Sequence, residues 1–435
     1  MHTGSTALHT DRYELTMLEA ALRDGTAARP CRFEMFGRRL PGGRRFGVLA
    51  GTGRFLNLLR RFRFGDDELR FLRDNRIVDV STVTFLQNYR FTGTITGYQE
   101  GELYFPHSPV LTVQGSFAEA VLLETLALSV FNYDSAVATA AARMSIAAGH
   151  RPLAEMGSRR AHEEAAVAAA RAAFIAGFTA TSNLEAGRSW GIPTMGTAAH
   201  AWTLLHDSEE DAFRAQVDAL GPGTTLLVDT YDIARGVETA IRVAGTNLGG
   251  VRIDSGDLPS AAASVRAQLD RLGATDTRIT VTSDLDEYAI AALAASPVDS
   301  YGVGTSVVTG SGTPAAGLVY KLVAHQDPTG QWLSVAKASA NKASPGGRKT
   351  AFRARDADTA TAELVTMTDR TVEHPNARPL NVDLVHHGEI DPAHEGGAGV
   401  ITARAHHQRA RDELPRAARA LSKSEPAIPT IFEQL

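Results

Sequence analysis

The sequence predicts an α/β protein whose central part is a βα barrel or a fold close to one, preceded by an α+β region. In the first 150 residues, strand-like alternation is mixed with helical segments. From about residue 151, short apolar strands each end in a polar residue and are followed by a helix. The strand ends at Asp229, Asp254, Asp284 and Gly304 are 25, 30 and 20 residues apart, close to the length of a βα repeat.

Within the first region, residues 12–24 carry Leu15, Leu18 and Leu22 on one face and stop at Gly25, which predicts an amphipathic helix. Three segments alternate apolar and polar residues and predict antiparallel strands: RFEMFGRRLP, YRFTGTITGYQEGELYFP and PVLTVQG. Helices are predicted at RFLNLLRRFRF, at DDELRFLRDN and, as a pair, over residues 118–148. No phosphate-binding loop is found in this region.

In the central region, seven segments predict parallel strands, each except the last followed by a helix: RPLAEMG, FTATSN, IPTMGT, LLVDT, GVRIDSGD, RITVTSD and DSYGVGT. The carboxyl ends of barrel strands carry the chemistry of such folds. After Thr305 two more strands, LVYKLVAH and QWLSVAKAS, precede a polar segment, SPGGRKTAFRARDADTA. These boundaries predict an N-terminal α+β domain (1–150), a barrel domain with the active site (151–320) and a C-terminal segment (321–435).

Charge and composition exclude several classes of protein. The 435 residues include 44 basic and 49 acidic side chains, a net charge of −5, which disfavours a nucleic-acid or anionic-membrane partner. Hydrophobic residues make up 43% and charged residues 21%, as in globular proteins rather than disordered or fibrous ones. Cys31 is the single cysteine, no signal pattern opens the chain, and no apolar stretch reaches the roughly 18 residues of a membrane helix. We expect a soluble cytosolic protein of enzyme size.

The loop after GVRI gathers groups suited to a sugar. The segment VRIDSGDL places Arg252, Asp254, Ser255 and Asp257 at a strand end, and Asp284 occupies the equivalent place one repeat later. Carboxylates accept hydrogen bonds from ribose hydroxyls and stabilise a developing oxocarbenium ion. The alternative is a solvated acidic turn.

Glycines after the last barrel strand are suited to a phosphate. Gly302 and Gly304, followed by Thr305, let backbone N–H groups approach a phosphate closely. GTAAH places Thr197 and His200 at the start of a helix, where the histidine is either a nucleophile or acid/base or an ordinary polar residue.

Two other groups of residues remain open to more than one interpretation. Arg159 and Arg160 follow a strand and either bind a carboxylate or phosphate or pair with Glu163 or Glu164. The histidine pairs 386–387 and 406–407 lack the spacing of a zinc site, and we expect them at the surface.

Lysine is rare in this chain and concentrated in one segment. Only five of the 44 basic residues are lysines, and Lys321, Lys337, Lys342 and Lys349 lie within 29 positions. Because the chain otherwise uses arginine, the lysines retained in this segment are candidates for a role that needs a compact ammonium group. The alternative is a surface loop without function.

Seven segments together resemble one enzyme family: TDRYELTM (10–17), EMGSRRAHEEAA (155–166), GFTATSN (177–183), GTAAH (196–200), VRIDSGDL (251–258), VTSDLDEY (281–288) and YGVGTSVVT (301–309). Their order and spacing are similar to those of nicotinate phosphoribosyltransferases, over about residues 10–355. The resemblance implies ATP-coupled transfer of phosphoribosyl from phosphoribosyl pyrophosphate to nicotinate in NAD biosynthesis, with Mg²⁺. It also implies an incomplete α/β barrel beside an α+β domain built from both chain ends, and a homodimer with shared active sites.

The resemblance also implies a role for individual residues, although it does not identify the metal ligands. His200 is the phosphorylated histidine, and Asp254 and Asp284 act with it in catalysis. The nicotinate-binding residues are Tyr13, Arg159, Thr197 and Arg252. The phosphoribosyl pyrophosphate-binding residues are Ser255, Gly304, Thr305, Lys321, Lys337 and Lys342. Where related sequences often carry an aromatic residue against the pyridine ring, this chain has Met156, whose thioether also contacts rings favourably.

Two alternative functions remain open at this level. The first is a phosphoribosyltransferase that uses nicotinamide or quinolinate. The second is a non-catalytic barrel that binds a sugar phosphate. The presence of His200, Asp254 and Asp284 argues against the second, because a binding module has no need of a phosphoacceptor.

Overall fold

The structure is a computed structural model that describes residues 4–337, 345–368 and 374–433. The predicted site residue Lys342 lies outside these ranges. The chain divides into two compact units, one formed by Met1–Thr139 with Thr313–Leu435 and the other by Ala140–Gly312. The fold is therefore a mixed α/β fold in which both ends of the chain contribute to the first unit.

The elements of the first 148 residues are helices and short strands in irregular order, as predicted; the last of them, α6, continues into the second unit. The helices are α1 (Arg12–Asp24), α2 (Thr52–Arg60), α3 (Asp66–Asp74), α4 (Val80–Gln87), α5 (Phe117–Val121) and α6 (Glu124–Ala148). The strands are β1 (Pro30–Gly37), β2 (Gly47–Val48), β3 (Thr94–Tyr98), β4 (Leu103–Tyr104) and β5 (Leu111–Ser116). The prediction for α1 is confirmed in detail, because the helix buries Leu15 and Leu18 and ends at Gly25 with a φ of 84°.

The elements of the second unit alternate between strand and helix. The strands are β6 (Leu153–Glu155), β7 (Ala180–Thr181), β8 (Thr225–Leu227), β9 (Gly250–Ile253), β10 (Arg278–Val281) and β11 (Ser300–Val303). The helices are α7 (Glu163–Ile175), α8 (Leu184–Trp190), α9 (His200–Leu205), α10 (Glu209–Leu220), α11 (Ile233–Ala244), α12 (Leu258–Arg271), α13 (Glu287–Ala292) and α14 (Thr305–Val308).

The C-terminal part of the first unit is mostly strands. They are β12 (Leu318–Gln326), β13 (Trp332–Ser334), β14 (Thr350–Asp356), β15 (Thr359–Thr366), β16 (Ala377–Pro379), β17 (Asn381–His386), β18 (Glu389–Ile390) and β19 (Thr430–Glu433), with one α-helix, α15 (Gly396–Asp412). A seven-stranded sheet combines strands from both chain ends in the order β13-β12-β1-β5-β3-β17-β18. Phe33 of β1 stacks on Tyr320 of β12 at 4.9 Å between ring centroids, in the hydrophobic core of this unit.

The six strands of the second unit form one parallel sheet in the order β7-β6-β11-β10-β9-β8. Val251, Ile253, Ile279 and Val281 are fully buried on one face. Arg252 lies between two of them in sequence and therefore belongs to the other face. Since all six strands run in the same direction, their carboxyl ends and the loops that follow lie at the same edge of the sheet.

Some predictions of local structure are wrong. IPTM is not a strand of this sheet but forms a single parallel bridge, between Thr194 and Thr181. The polar segment before residue 361 contains β14, which pairs with β15 and carries the fully buried Arg353 in an ion pair with Glu363. Helix α10 was not predicted.

The histidine pairs differ from one another. His386 and His387 are exposed, as expected. His407 is buried and its Nδ1 lies 3.0 Å from the carbonyl oxygen of Gly101, while Nε2 of His406 lies 2.8 Å from Oε2 of Glu102. The surface assignment is therefore wrong for His406 and His407.

One helical stretch, Phe117–Ala148, is long and apolar enough to cross a membrane by length and composition. This contradicts the expectation that no stretch would reach that length. Two thirds (67%) of its most apolar 18-residue window is buried inside the protein, as in the core helix of a globular domain.

Candidate active site

The carboxyl edge of the parallel sheet carries most of the predicted site residues. The structure places seven of them at the ends of its strands or in the segments that follow: Arg159, Arg252, Asp254, Ser255, Asp284, Gly304 and Thr305. Thr197 and His200 follow Thr194, which forms the single bridge to β7. Parallel strands therefore bring together side chains that are up to 146 residues apart in sequence (305 − 159).

His200 is the first residue of α9 and lies beside two carboxylates. Its Nδ1 is 3.1 Å from Oγ1 of Thr230, and its Nε2 is 4.0 Å from both Oδ1 of Asp229 and Oδ2 of Asp254. With Nδ1 as the donor to Thr230, Nε2 keeps its lone pair free. Because 40% of the side chain remains exposed, this nitrogen can reach a ligand.

Asp229 holds the loop after β9 in place. Its side chain is 1% exposed, and its Oδ2 accepts hydrogen bonds from the backbone N–H of Asp254 (2.8 Å) and from Oγ of Ser255 (2.7 Å). Its Oδ1 makes no hydrogen bond within the described part of the chain and faces His200. Oδ1 of Asp254 accepts a hydrogen bond from the Thr282 hydroxyl, so Asp254 is held through both its backbone and its carboxylate.

Two arginines form a positive region beside this acidic group. Arg252 donates a hydrogen bond to Oγ1 of Thr197, and burial lowers the pKa of its guanidinium. The carboxylates of Asp254 and Asp229 oppose this decrease in pKa, whereas the positive charge of Arg159 adds to it. The charges of both acids and of Arg159 therefore act on the Arg252 guanidinium.

Arg159 is exposed and forms no ion pair or side-chain hydrogen bond with any residue that the structure describes. Its alternative pairing with Glu163 is not observed, since Glu163 contacts His162 instead, at 3.6 Å. Two guanidinium groups at one sheet edge, neither of them in an ion pair with a carboxylate of the described residues, favour an anionic ligand.

The loops after β10 and β11 complete this edge. Ser283 and Asp284 have φ values of 87° and 21°, in the left-handed region that non-glycine residues rarely adopt. Such strain costs about 1–3 kcal/mol per residue and is concentrated at functional sites. Within the described ranges, the side chain of Asp284 makes no hydrogen bond or ion pair with the His200 group.

Gly302 makes room for Met156. A Cβ atom at position 302 would lie 2.7 Å from Sδ of Met156 and 2.6 Å from Cγ2 of Thr282, so a larger residue would displace both. Met156 also lines a cavity of about 390 Å³ against the same sheet. The thioether thus occupies a fixed place at the sheet, next to the loop that carries Arg159.

The remaining predicted residues belong to the first unit. Tyr13 is 46% exposed on α1, and partial burial together with the charges of Glu124 and Glu14 raises its pKa to about 12. Nζ of Lys321 donates to Oε1 of Glu124 at 3.3 Å, and Lys337 is exposed after β13.

Lys349 has a structural role. Its Nζ is buried and donates to both carboxylate oxygens of Glu34, at 3.0 and 2.9 Å. An internal ion pair explains the lysine at this position without a ligand, so at least this member of the lysine concentration noted in the sequence is structural.

Comparison with known proteins identifies the family. A family model described as the nicotinate phosphoribosyltransferase (NAPRTase) N-terminal domain matches residues 8–132. The nicotinate phosphoribosyltransferase pncB1 of Mycobacterium tuberculosis is 57% identical over 437 aligned positions, which cover 97% of this chain and 94% of the relative. The chain belongs to the nicotinate phosphoribosyltransferase family. It is therefore an enzyme, which removes the alternative of a non-catalytic barrel.

Further nicotinate phosphoribosyltransferases support this assignment. That of Bacillus subtilis is 40% identical over 360 positions, covering 80% of this chain and 73% of the relative. The crystal structure of human nicotinic acid phosphoribosyltransferase matches with a TM-score of 0.83 at 27% identity, covering 98% of this chain and 97% of that one. The mixed α/β fold with its parallel sheet is thus the fold of this family.

The sequence analysis of this family member missed three residues beside its predicted site. Asp229 was noted as a strand end but not assigned a role, although it contacts His200, Asp254 and Ser255. Its place in the series of strand-end acids was a usable signal. Thr230 and Thr282 had no such signal, because a single threonine after a strand is common.

Proposed function

We propose that this chain transfers phosphoribosyl from 5-phosphoribosyl 1-pyrophosphate to nicotinate, giving nicotinate mononucleotide and pyrophosphate in NAD biosynthesis, with ATP hydrolysis coupled through phosphorylation of His200. The observation that carries the proposal is the pairing, at one sheet edge, of the Asp229–His200–Asp254 group with Arg252 and Arg159. The names of the relatives supply nicotinate as the substrate.

The nicotinate carboxylate binds between Arg252 and Arg159, with the Thr197 hydroxyl holding Arg252 in place. The family resemblance assigns Tyr13 to nicotinate as well, within the shared sites of the homodimer. Burial makes the unpaired charge of Arg252 costly, and an anionic substrate offsets that cost. Nicotinamide lacks this charge, so the site should discriminate against it.

The chemical step needs no general base, since the pyridine nitrogen attacks C1′ of the ribose with its own lone pair while the bond from C1′ to pyrophosphate breaks. Positive charge develops on the ribose, and the carboxylates of Asp254 and Asp284 stabilise it while Ser255 binds the departing group. Gly304 and Thr305 receive the 5-phosphate through backbone N–H groups and the hydroxyl. Lys321, Lys337 and Lys342 contribute positive charge toward phosphates.

Mg²⁺ fits this donor set as a substrate-bound ion. It prefers carboxylate oxygen and commonly binds through one or two carboxylates together with substrate phosphates. Asp254 and Asp284 supply such oxygens, whereas the described residues contain no group of three or more His, Cys, Asp or Glu side chains that would hold a metal alone. When bound, the ion would neutralise charge on the pyrophosphate.

ATP acts through Nε2 of His200. The neutral imidazole attacks the terminal phosphorus, the bond to ADP breaks, and the histidine carries roughly two negative charges. These charges arise beside Asp229 and Asp254, so phosphorylation must rearrange basic groups and bound pyrophosphate around them. We expect this change to tighten the productive complex and hydrolysis of the phosphohistidine to release the products.

The finer architecture is part of the same proposal. The open parallel sheet, whose edge strands β7 and β8 do not pair with each other among the described residues, supports an incomplete α/β barrel with an accompanying α+β domain. We retain the division into 1–150, 151–320 and 321–435, a cytoplasmic location, and a homodimer with shared active sites.

One assay tests the proposed function. Purified protein is incubated with phosphoribosyl pyrophosphate, Mg²⁺ and either nicotinate, nicotinamide or quinolinate, with and without ATP, and the products are identified by mass spectrometry. We expect nicotinate mononucleotide and a higher yield with ATP. Preferential turnover of nicotinamide or quinolinate would assign the chain to one of the alternative substrates.

A further inference from the structure

Glu155 is a buried carboxylate at the active-site edge that the proposed mechanism does not use. It is the last residue of β6, its exposure is 0%, and no cation contacts it among the described residues. Its Oε2 accepts a hydrogen bond from Oγ1 of Thr181 at 2.6 Å, and its Oε1 accepts one from the backbone N–H of Gly157. Burying a carboxylate without a counter-ion costs free energy, so the presence of Glu155 at this position needs an explanation.

We propose that Glu155 is a positioning residue that fixes the turn Ser158–Arg160 and thereby aims Arg159 at the substrate carboxylate. This inference rests on the proposed function, in which Arg159 binds nicotinate. Both oxygens of Glu155 act as acceptors, one toward the turn and one toward the neighbouring strand β7. In glutamine the amide oxygen could still accept from Gly157, but the NH₂ group would force the Thr181 hydroxyl, which already accepts from Asn183, to give up its role as donor.

A chain of hydrogen bonds carries this constraint to the turn itself. Oγ1 of Thr181 accepts from the backbone N–H of Asn183 at 3.0 Å, and Nδ2 of Asn183 donates to Oγ of Ser158 at 3.0 Å. The backbone N–H of Ser182 also donates to the carbonyl oxygen of Glu155 at 2.8 Å. The loop after β7 and the turn after β6 are therefore tied together through Glu155.

Packing closes the other side of the turn. A Cβ atom at Gly157 would lie 2.3 Å from Cγ1 of Val308 and 2.8 Å from the carbonyl oxygen of Gly304. The turn is thus pressed against the loop that follows β11 and has no free space on that side. Without the Glu155 contacts, the turn could move only away from Gly304. Such a movement would displace Arg159, which follows Ser158 in the turn.

The experiment measures steady-state kinetics of Glu155→Gln, with Glu163→Gln as the matched control because Glu163 is exposed on α7. We expect Glu155→Gln to raise the KM for nicotinate at least tenfold, while kcat and the KM for phosphoribosyl pyrophosphate stay within about twofold. The control should leave all three constants unchanged. In an Arg159→Ala background, Glu155→Gln should have no further effect on the KM for nicotinate.

Several results would overturn the inference. An unchanged KM for nicotinate in Glu155→Gln would do so. So would equal increases in the KM values for nicotinate and phosphoribosyl pyrophosphate, or fully additive effects of Glu155→Gln and Arg159→Ala on the KM for nicotinate. If Glu155→Gln does not fold, Ser158→Ala removes the outer end of the same chain of hydrogen bonds, and a KM for nicotinate identical to that of the wild type would then contradict the role. A wild-type protein that does not use nicotinate would instead refute the proposed function.

Discussion

Asp229 and His200 face each other across 4.0 Å, from Oδ1 of the carboxylate to Nε2 of the imidazole, while the other oxygen of Asp229 accepts the backbone N–H of Asp254. One buried carboxylate therefore contacts both the nucleophile proposed for ATP and the loop proposed for ribose. Because Oδ1 has no hydrogen-bond partner among the described residues, its charge is available to stabilise positive charge that develops on the His200 ring during attack on ATP.

Asp229→Asn should reduce the rate of ATP-dependent phosphorylation at His200 by at least tenfold, because the amide keeps the shape but removes the charge that stabilises imidazolium. Transfer without ATP should fall less. The measurement is incorporation of label from γ-labelled ATP. Asp218→Asn, on the exposed face of α10, serves as control and should leave labelling unchanged. Normal labelling of Asp229→Asn would show that the 4.0 Å approach has no part in phosphorylation.

Arg252→Lys should weaken nicotinate binding by about 1–3 kcal/mol, since lysine retains the charge but loses the planar pair of donors. Isothermal titration calorimetry measures the effect. Arg271→Lys, at the exposed end of α12, is the matched control and should bind nicotinate as the wild type does. Unchanged affinity in Arg252→Lys would remove Arg252 from the nicotinate site.

Glu14, next to Tyr13 on α1, makes the stability of the protein depend on pH. Burial raises its pKa from 4.5 to about 7, even though hydrogen bonds from Thr10 and Thr125 act in the opposite direction. Because the pKa of Glu14 is higher in the folded state, its protonated form adds to the free energy of unfolding. This stabilisation is complete below pH 4.5 and is lost as the pH rises through 7. The loss amounts to about 3 kcal/mol at most.

Glu14→Gln should therefore lose this pH dependence, because glutamine resembles the protonated acid. Urea unfolding at pH 5 and pH 8 should show the wild type losing stability relative to Glu14→Gln at the higher pH. Glu425→Gln, at an exposed position, should follow the wild type. Parallel stability curves for Glu14→Gln and the wild type would show that Glu14 titrates normally in the fold.

Much of the site was predictable because parallel strands place their carboxyl ends together. The regular spacing of Asp229, Asp254 and Asp284 identified that edge from sequence alone. What remained hidden depends on contacts distant in sequence. Arg353 is a residue typical of a solvated segment, yet in β14 it is buried, and its Nη2 donates to Glu363 and to the carbonyl oxygen of Leu103.

Contacts between residues distant in sequence also explain two further differences between the predicted and the observed structure. His406 and His407 have an ordinary surface composition around them, and only the distant partners Glu102 and Gly101 explain their positions. IPTM has the length and apolarity of a strand but forms one bridge, between Thr194 and Thr181. Local pattern predicts which segments are able to form strands, whereas available partners decide which of them do.

The central claim is that His200 carries the phosphate that couples ATP to nicotinate mononucleotide synthesis. The most direct measurement compares wild-type and His200→Ala proteins, both shown to be folded by circular dichroism, for product formation with and without ATP. Mass spectrometry under alkaline conditions locates the phosphate. The account predicts an acid-labile phosphate on His200 in the wild type, and in His200→Ala slow transfer that ATP no longer accelerates. Full stimulation by ATP in folded His200→Ala would contradict it.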